Sequence, residues 1–146
     1  MKYINHIGVY GIIKNNDEIL LIDKVGGPYD GMLDLPGGTL EHTESTVDTL
    51  IRELKEEVGI DVLKYKLIDV VTTNVEFKHK CVIENIHHIG IIYEILEYTG
   101  NIKETNVINE INDDSKGSKF YDIKSLNTKK LSNLVQEVLT NKNFNI

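Results

Sequence analysis

Apolar positions recur along this chain with two different periods, and the change of period marks its elements. Residues 4–13 and 18–23 are rich in Ile, Val and Leu and flank the polar run Lys14-Asn15-Asn16-Asp17, which predicts a β-hairpin. Residues 26–32, GGPYDGM, carry three glycines and a proline and lead into the turn at Leu33-Asp34-Leu35-Pro36-Gly37-Gly38. From about Ser45 the period becomes helical: Val47, Leu50, Ile51, Leu54 and Val58 predict one buried stripe. Ser45 with Asp48 fits a capping box, Thr43 is a second candidate cap, and Gly59 suits a left-handed C-terminal residue. Residues 66–77 and 86–98 predict two strands joined by a turn or hairpin end at 78–85. The second is apolar on both faces, as in a central strand covered on both sides. Lys119 to Ile123 predicts a short strand after the polar loop 112–118. Leu131, Leu134, Val135, Val138 and Leu139 predict a last helix over about 128–141. Strands interrupted by one helix and closed by another give an α+β fold with a mixed sheet between two helices.

The first helix carries the chemistry. Glu53, Glu56 and Glu57 stand at i, i+3 and i+4, read here as lying opposite the apolar stripe. Like charges at that spacing repel, and they lie toward the helix end where the macrodipole disfavours negative charge. Stability alone would not select that placement. A hard divalent cation with oxygen ligands removes the conflict, and Mg²⁺ is commonly held through carboxylates, waters and substrate phosphates.

Gly38, five residues, Glu44, seven residues, and then the run Arg52-Glu53-Leu54-Lys55-Glu56-Glu57-Val58-Gly59-Ile60 resemble the Nudix hydrolase signature at every fixed position. With average residue usage such a match by chance is on the order of 10⁻⁸. The upstream LDLPGG turn and the strand-rich flanks resemble the same family. Leu33 departs from the tryptophan that many relatives have before the LPGG turn, which bears on packing more than on chemistry.

The resemblance implies an α/β/α sandwich and hydrolysis of a phosphoric anhydride bond in a nucleotide. It implies Mg²⁺, with Mn²⁺ as the alternative, held by Glu53, Glu56, Glu57 and the Gly37 carbonyl. Gly38 and Glu44 fall on the substrate side, with Glu44 also reaching the metal through water. Arg52 would orient Glu53; the competing reading is an Asp48–Arg52–Glu56 surface ladder at i, i+4 spacing. The general base is Glu53 or Glu110, the second lying where relatives carry a carboxylate on the loop after the long strand. Nucleoside triphosphates, oxidised or modified ones included, are the expected substrates. Three features favour them: the compact chain, the short loop 112–118, and the lack of a proline downstream of the motif, where ADP-ribose hydrolases often have one. ADP-ribose or another nucleoside diphosphate derivative is the alternative. A non-catalytic sensing module is the third reading, and such modules usually lose one of the acids that are all present here.

Length and composition narrow the setting. The 146 residues fit one domain spanning 1–146, with 40% hydrophobic and 27% charged residues, as in an ordinary globular protein. A net charge of −7 without a basic cluster disfavours binding to nucleic acid polymers and makes a bridging cation necessary for polyphosphates. A single cysteine, Cys81, rules out an internal disulfide, suits a reducing cytoplasm and is expected to be structural. The N-terminal MKYINHIGVYG has no secretory pattern, and no apolar run reaches the roughly 20 residues of a membrane span. A homodimer is compatible with this reading.

The remaining polar residues are weaker candidates. His87 and His88 point to opposite strand faces and cannot chelate together; they are expected to be strand-end polar residues. His42 is expected to be solvated, and Asn112-Asp113-Asp114 to be turn chemistry. The loop 26–32 is either a plain connection or a substrate-lining segment.

Overall fold

The computed structural model describes residues 1–104 and 115–146. In chain order, the first half contains β1 (Lys2–Ile12), β2 (Lys14–Asn15), β3 (Glu18–Lys24), β4 (Leu33–Asp34), β5 (Gly37–Thr39) and α1 (Thr46–Val58). The second half contains β6 (Asp61–His79), β7 (Val82–Thr99), β8 (Ser115–Asp122) and α2 (Asn133–Thr140). Short 3₁₀ turns at Ile123–Thr128 and Lys142–Phe144 flank α2. Among the described residues no helix is long and apolar enough to cross a membrane.

Two sheets share the chain. One runs in the order β5-β1-β7-β6, mixed because β1 and β7 are parallel; the other contains β2, β3 and β4, with β8 also paired to β3. The expected hairpin between 4–13 and 18–23 forms only at its tip, where Ile13 to Asn15 turn back onto Glu18 to Leu20. β1 itself lies between β5 and β7. The reason is burial: β1 has a core residue on each face at Val9 and Tyr10, and a two-strand hairpin cannot cover both. The chain therefore crosses from one sheet to the other between Ile12 and Lys14.

β6 and β7 are longer than their apolar cores predict. They continue through the expected turn at 78–85 and close in two residues, Lys80 and Cys81, with Lys80 at φ 56°. Their distal ends are solvated, so alternation there carries no apolar signal. Cys81 is exposed at this tip, which corrects the expectation of a packed structural cysteine. β7 does lie between β1 and β6, as its two apolar faces require. β8 begins at Ser115, so the later part of the expected loop 112–118 is strand; Asn112-Asp113-Asp114 and Glu110 lie outside the described residues. α2 starts only at Asn133, because Ser132 caps it and Leu131 is taken by a bridge to Leu33. Leu134, Val135 and Val138 provide its buried side.

Helix α1 follows its sequence signals closely. Ser45 Oγ accepts from the Asp48 N–H at 3.1 Å, and Asp48 Oδ2 accepts from the Ser45 N–H at 3.1 Å, which completes a capping box. At the other end Gly59 takes φ 83° and donates to the Leu54 and Lys55 carbonyls. Ser45→Ala is expected to cost about 1 kcal/mol, read as a lower denaturant midpoint with an unchanged slope. An unchanged midpoint would mean that the cap contributes nothing.

The core has two faces. On one, Leu50, Leu54 and Val58 of α1 pack with Val9, Ile13, Tyr93 and Ile95; on the other, α2 packs with Tyr10, Ile12, Ile92 and Val71. Ile51 does not join the first cluster and is 41% exposed. At about 100° per residue, Ile51 lies a quarter-turn from Leu50, whereas Glu57 at i+7 falls almost in line with it.

Candidate active site

That alignment reshapes the acidic cluster. Glu57 is not on the solvent side of α1 but inside the buried stripe, at 3% exposure. The Glu53 side chain is 15% exposed and the Glu56 side chain 60%. The three carboxylates thus form a gradient from core to solvent along one flank of the helix.

Edge strand β5 supplies the facing wall. Its residues Gly37, Gly38 and Thr39 pair with Tyr10, Val9 and Gly8 of β1. Gly37 adopts φ 147°, and a Cβ there would fall 2.1 Å from the Val9 carbonyl oxygen. A Cβ on Gly38 would fall 2.6 Å from the Glu53 carboxyl carbon, so only glycine lets that carboxylate lie on the strand. The Gly37 N–H donates to Glu57 Oε1 at 2.8 Å, fixing the buried acid to the same turn.

Arg52 braces the outer acids. Its Nε and Nη2 fork onto Glu44 at 2.7 and 2.8 Å, and Nη1 donates to Glu53 Oε1 at 2.9 Å. A longer contact of 3.5 Å reaches Glu56, and another of 3.4 Å reaches the Thr39 carbonyl. The surface ladder through Asp48 does not form, because Asp48 is used in the cap. Thr49 Oγ1 adds a donor to Glu44 at 3.0 Å. The Arg52 guanidinium, with smaller help from Thr49, holds the Glu44 carboxyl down at about 2.

Among the described residues no three acidic, histidine or cysteine side chains converge into a ready-made metal cluster. The donor set nevertheless fits a hard cation: three carboxylates lie within about one helical turn, and all the oxygens are hard donors. A divalent ion would take its ligands from Glu53, Glu56 and Glu57.

A cavity of about 400 Å³ opens on the other side of β5, with Thr39 on its rim beside the braced acids. Gly26, Gly27, Pro28 and Tyr29 line it, so the glycine-rich loop is part of the cavity wall and not only a connection. Its floor holds a cluster that the sequence did not expose. His88 is buried in mid-strand and bonds Tyr10 Oη through Nε2 at 2.7 Å and Tyr29 Oη through Nδ1 at 2.8 Å. Burial, with His6 and Lys24 nearby, lowers His88 to about 4; burial also raises both tyrosines. The three groups are therefore neutral near pH 7. His87 faces the opposite side and meets Asn5 at 3.2 Å, as alternation requires, but neither histidine is at a strand end. The signal for His88 was its position in the central strand, facing the same side as Ile86 and Ile92. His42 is exposed.

The family comparison bears directly on this arrangement, since the NUDIX domain model matches residues 3–140. The chain belongs to the NUDIX family. Among curated members, the ADP-ribose pyrophosphatase of Methanocaldococcus jannaschii is 30% identical over 120 residues, covering 82% of this chain and 63% of that protein. The 8-oxo-dGTP diphosphatase of Proteus vulgaris is 35% identical over 66 residues, covering 45% of this chain and 59% of that protein. This chain thus aligns with only part of each relative's length. The crystal structure of a MutT NUDIX hydrolase from Burkholderia pseudomallei matches the fold with a TM-score of 0.71, at 22% identity over 90% of this chain and 93% of that one. The NUDIX fold accounts for the mixed sheet with helices, and NUDIX members generally use divalent metal ions.

Proposed function

We propose that this chain hydrolyses a phosphoric anhydride bond in a nucleoside triphosphate, oxidised or modified ones included, to the monophosphate and pyrophosphate. The observation that carries the reading is the meeting, at Thr39, of an arginine-braced acid gradient and a cavity lined by Tyr10, Tyr29, His6 and His88. The first suits a polyphosphate and the second suits a nucleoside. About 400 Å³ is within the range of small-ligand sites and accommodates one nucleoside rather than two.

Displacement at phosphorus demands in-line positioning and charge neutralisation more than covalent help from the protein. Glu53, Glu56 and Glu57, with the Gly37 carbonyl, would hold Mg²⁺ or Mn²⁺, which when bound would supply that neutralisation and make water easier to deprotonate. The protein's own share is orientation. The Gly37 N–H fixes Glu57, while Arg52 holds Glu53 at a set distance from the β5 backbone. Gly38 leaves room for the Glu53 carboxylate; Glu53 and Glu110 are the two candidates for general base. Glu44 serves as the anchor for Arg52 and remains ionised at neutral pH.

ADP-ribose is the second reading, favoured by the archaeal ADP-ribose pyrophosphatase that matches over most of this chain. The deciding experiment compares kcat/KM for ordinary and oxidised triphosphates with ADP-ribose and diadenosine polyphosphates, in Mg²⁺ and with product analysis. Triphosphates are expected to lead. A tenfold or greater preference for ADP-ribose, about 1.4 kcal/mol of transition-state binding, would overturn the substrate and leave the hydrolase reading standing. No turnover of any member of the panel would favour a sensing module.

A further inference from the structure

The LDLPGG turn carries the chain from the second sheet to the first. Asp34 closes β4, which pairs with β3, and Gly37 opens β5, which pairs with β1. Between them the backbone has few bonds of its own. The Leu35 N–H goes to the Asp34 side chain at 2.9 Å, and Pro36 has no N–H to give. The Pro36 carbonyl accepts from the Gly11 N–H at 2.9 Å. What fixes Asp34 therefore fixes the approach to Gly37, whose N–H holds the buried Glu57 at 2.8 Å.

Asp34 is fixed from across the chain. Its Oδ1 also accepts from the Ser132 hydroxyl at 2.8 Å, 98 residues away in sequence. Ser132 is the N-cap of α2, and its Oγ accepts from the Val135 N–H at 3.1 Å. A hydroxyl has one hydrogen, and here that hydrogen goes to the carboxylate. Asp34 is 2% exposed and Ser132 fully buried, so water does not stand in for the bond. Two backbone bonds bracket it: Leu33 N–H to the Lys130 carbonyl at 2.8 Å, and Ser132 N–H to the Leu33 carbonyl at 2.9 Å. A serine that only caps a helix needs no carboxylate behind it, and burying that carboxylate is costly.

We infer that the Ser132–Asp34 bond sets the β4–β5 turn for metal binding, which makes Ser132 and Asp34 positioning residues for the Gly37–Glu57 end of the site. Both act through the turn and not on the ion. The inference rests on the metal-dependent reading of the acids and deepens it. It extends the site to the entrance of α2, on the other face of the sheet from α1.

The readout is Mg²⁺ affinity, measured by calorimetry over millimolar concentrations without nucleotide, so turnover is not required. Partners that orient metal ligands are typically worth about 10- to 100-fold in affinity, and one bond further out the loss is smaller. Ser132→Ala should weaken Mg²⁺ binding about three- to tenfold. Ser132→Thr keeps the hydroxyl and should stay within about twofold of the wild type. Ser132→Gly removes the hydroxyl where glycine is a tolerated cap, so it should show the alanine loss and serves if the alanine variant does not fold. The Asp34→Ala background separates the bond from the cap. There the hydroxyl has no carboxylate to hold, so adding Ser132→Ala should change Mg²⁺ affinity less than about twofold. A further loss of about threefold or more in that background would assign the effect to the cap and overturn the inference. Wild-type affinity in Ser132→Ala or Ser132→Gly, or an equal loss in Ser132→Thr, would also overturn it. Failure of the wild type to bind Mg²⁺ would overturn it together with the metal site.

Discussion

Glu57→Gln is expected to lower kcat by at least about 100-fold while the fold stays intact. Three observations set the size and the specificity of that effect. Glu57 is buried at 3% exposure, so its charge acts in a poorly screened environment. It is tied to Gly37 at 2.8 Å, in the turn that faces the outer acids. Glutamine has the same shape and can still accept from the Gly37 N–H, so the turn survives and only the charge is lost. Circular dichroism and the melting temperature should therefore remain near those of the wild type. Linkage provides an independent check, since millimolar Mg²⁺ should raise the melting temperature of the wild type and do so less in the variant. Wild-type turnover in Glu57→Gln would remove this residue from the metal site.

The same residue shows what could be read in the sequence and what could not. Glu53, Glu56 and Glu57 were legible as a group because three acids near a helix C-terminus conflict with local electrostatics. Their ranking by depth was not legible. Placing Ile51 in the stripe rotates the helix by part of a turn and sends Glu57 to the solvent side; a buried glutamate is the less expected choice until its Gly37 partner is known. The cap at Ser45 and the stop at Gly59 depend on neighbours within four residues, so they were readable in full. The pairing of β1 with β7, some 80 residues later in the chain, has no local signature, and the nearer strand seemed the natural partner. His88 was hidden for a related reason. Its partners Tyr10 and Tyr29 are 78 and 59 residues away, and they meet it only when β1 and the 26–32 loop close over β7.

Arg52→Ala should lower kcat by roughly 10- to 100-fold with a smaller change in KM, because it removes the brace and not a substrate contact. In the wild type one guanidinium spans two carboxylates, forking onto Glu44 and reaching Glu53 at 2.9 Å. Without it, Glu53 loses the bond that holds it over Gly38, while Glu44 and Glu53 repel across the gap. Arg52→Lys should recover only part of the loss, since an ammonium is a compact point charge and cannot reproduce the planar fork. A pH readout separates this role from a general loss of packing. Arg52 lowers the Glu44 carboxyl from an ordinary 4.5 to about 2 in the folded protein. The folded value is the lower one, so the stabilisation is full above about pH 4.5 and is lost as pH falls toward 2. The difference in melting temperature between wild type and Arg52→Ala should therefore narrow between about pH 5 and pH 3. A constant difference across that range would show that the ion pair does not contribute. Unchanged kcat in Arg52→Ala would show that Glu53 needs no brace.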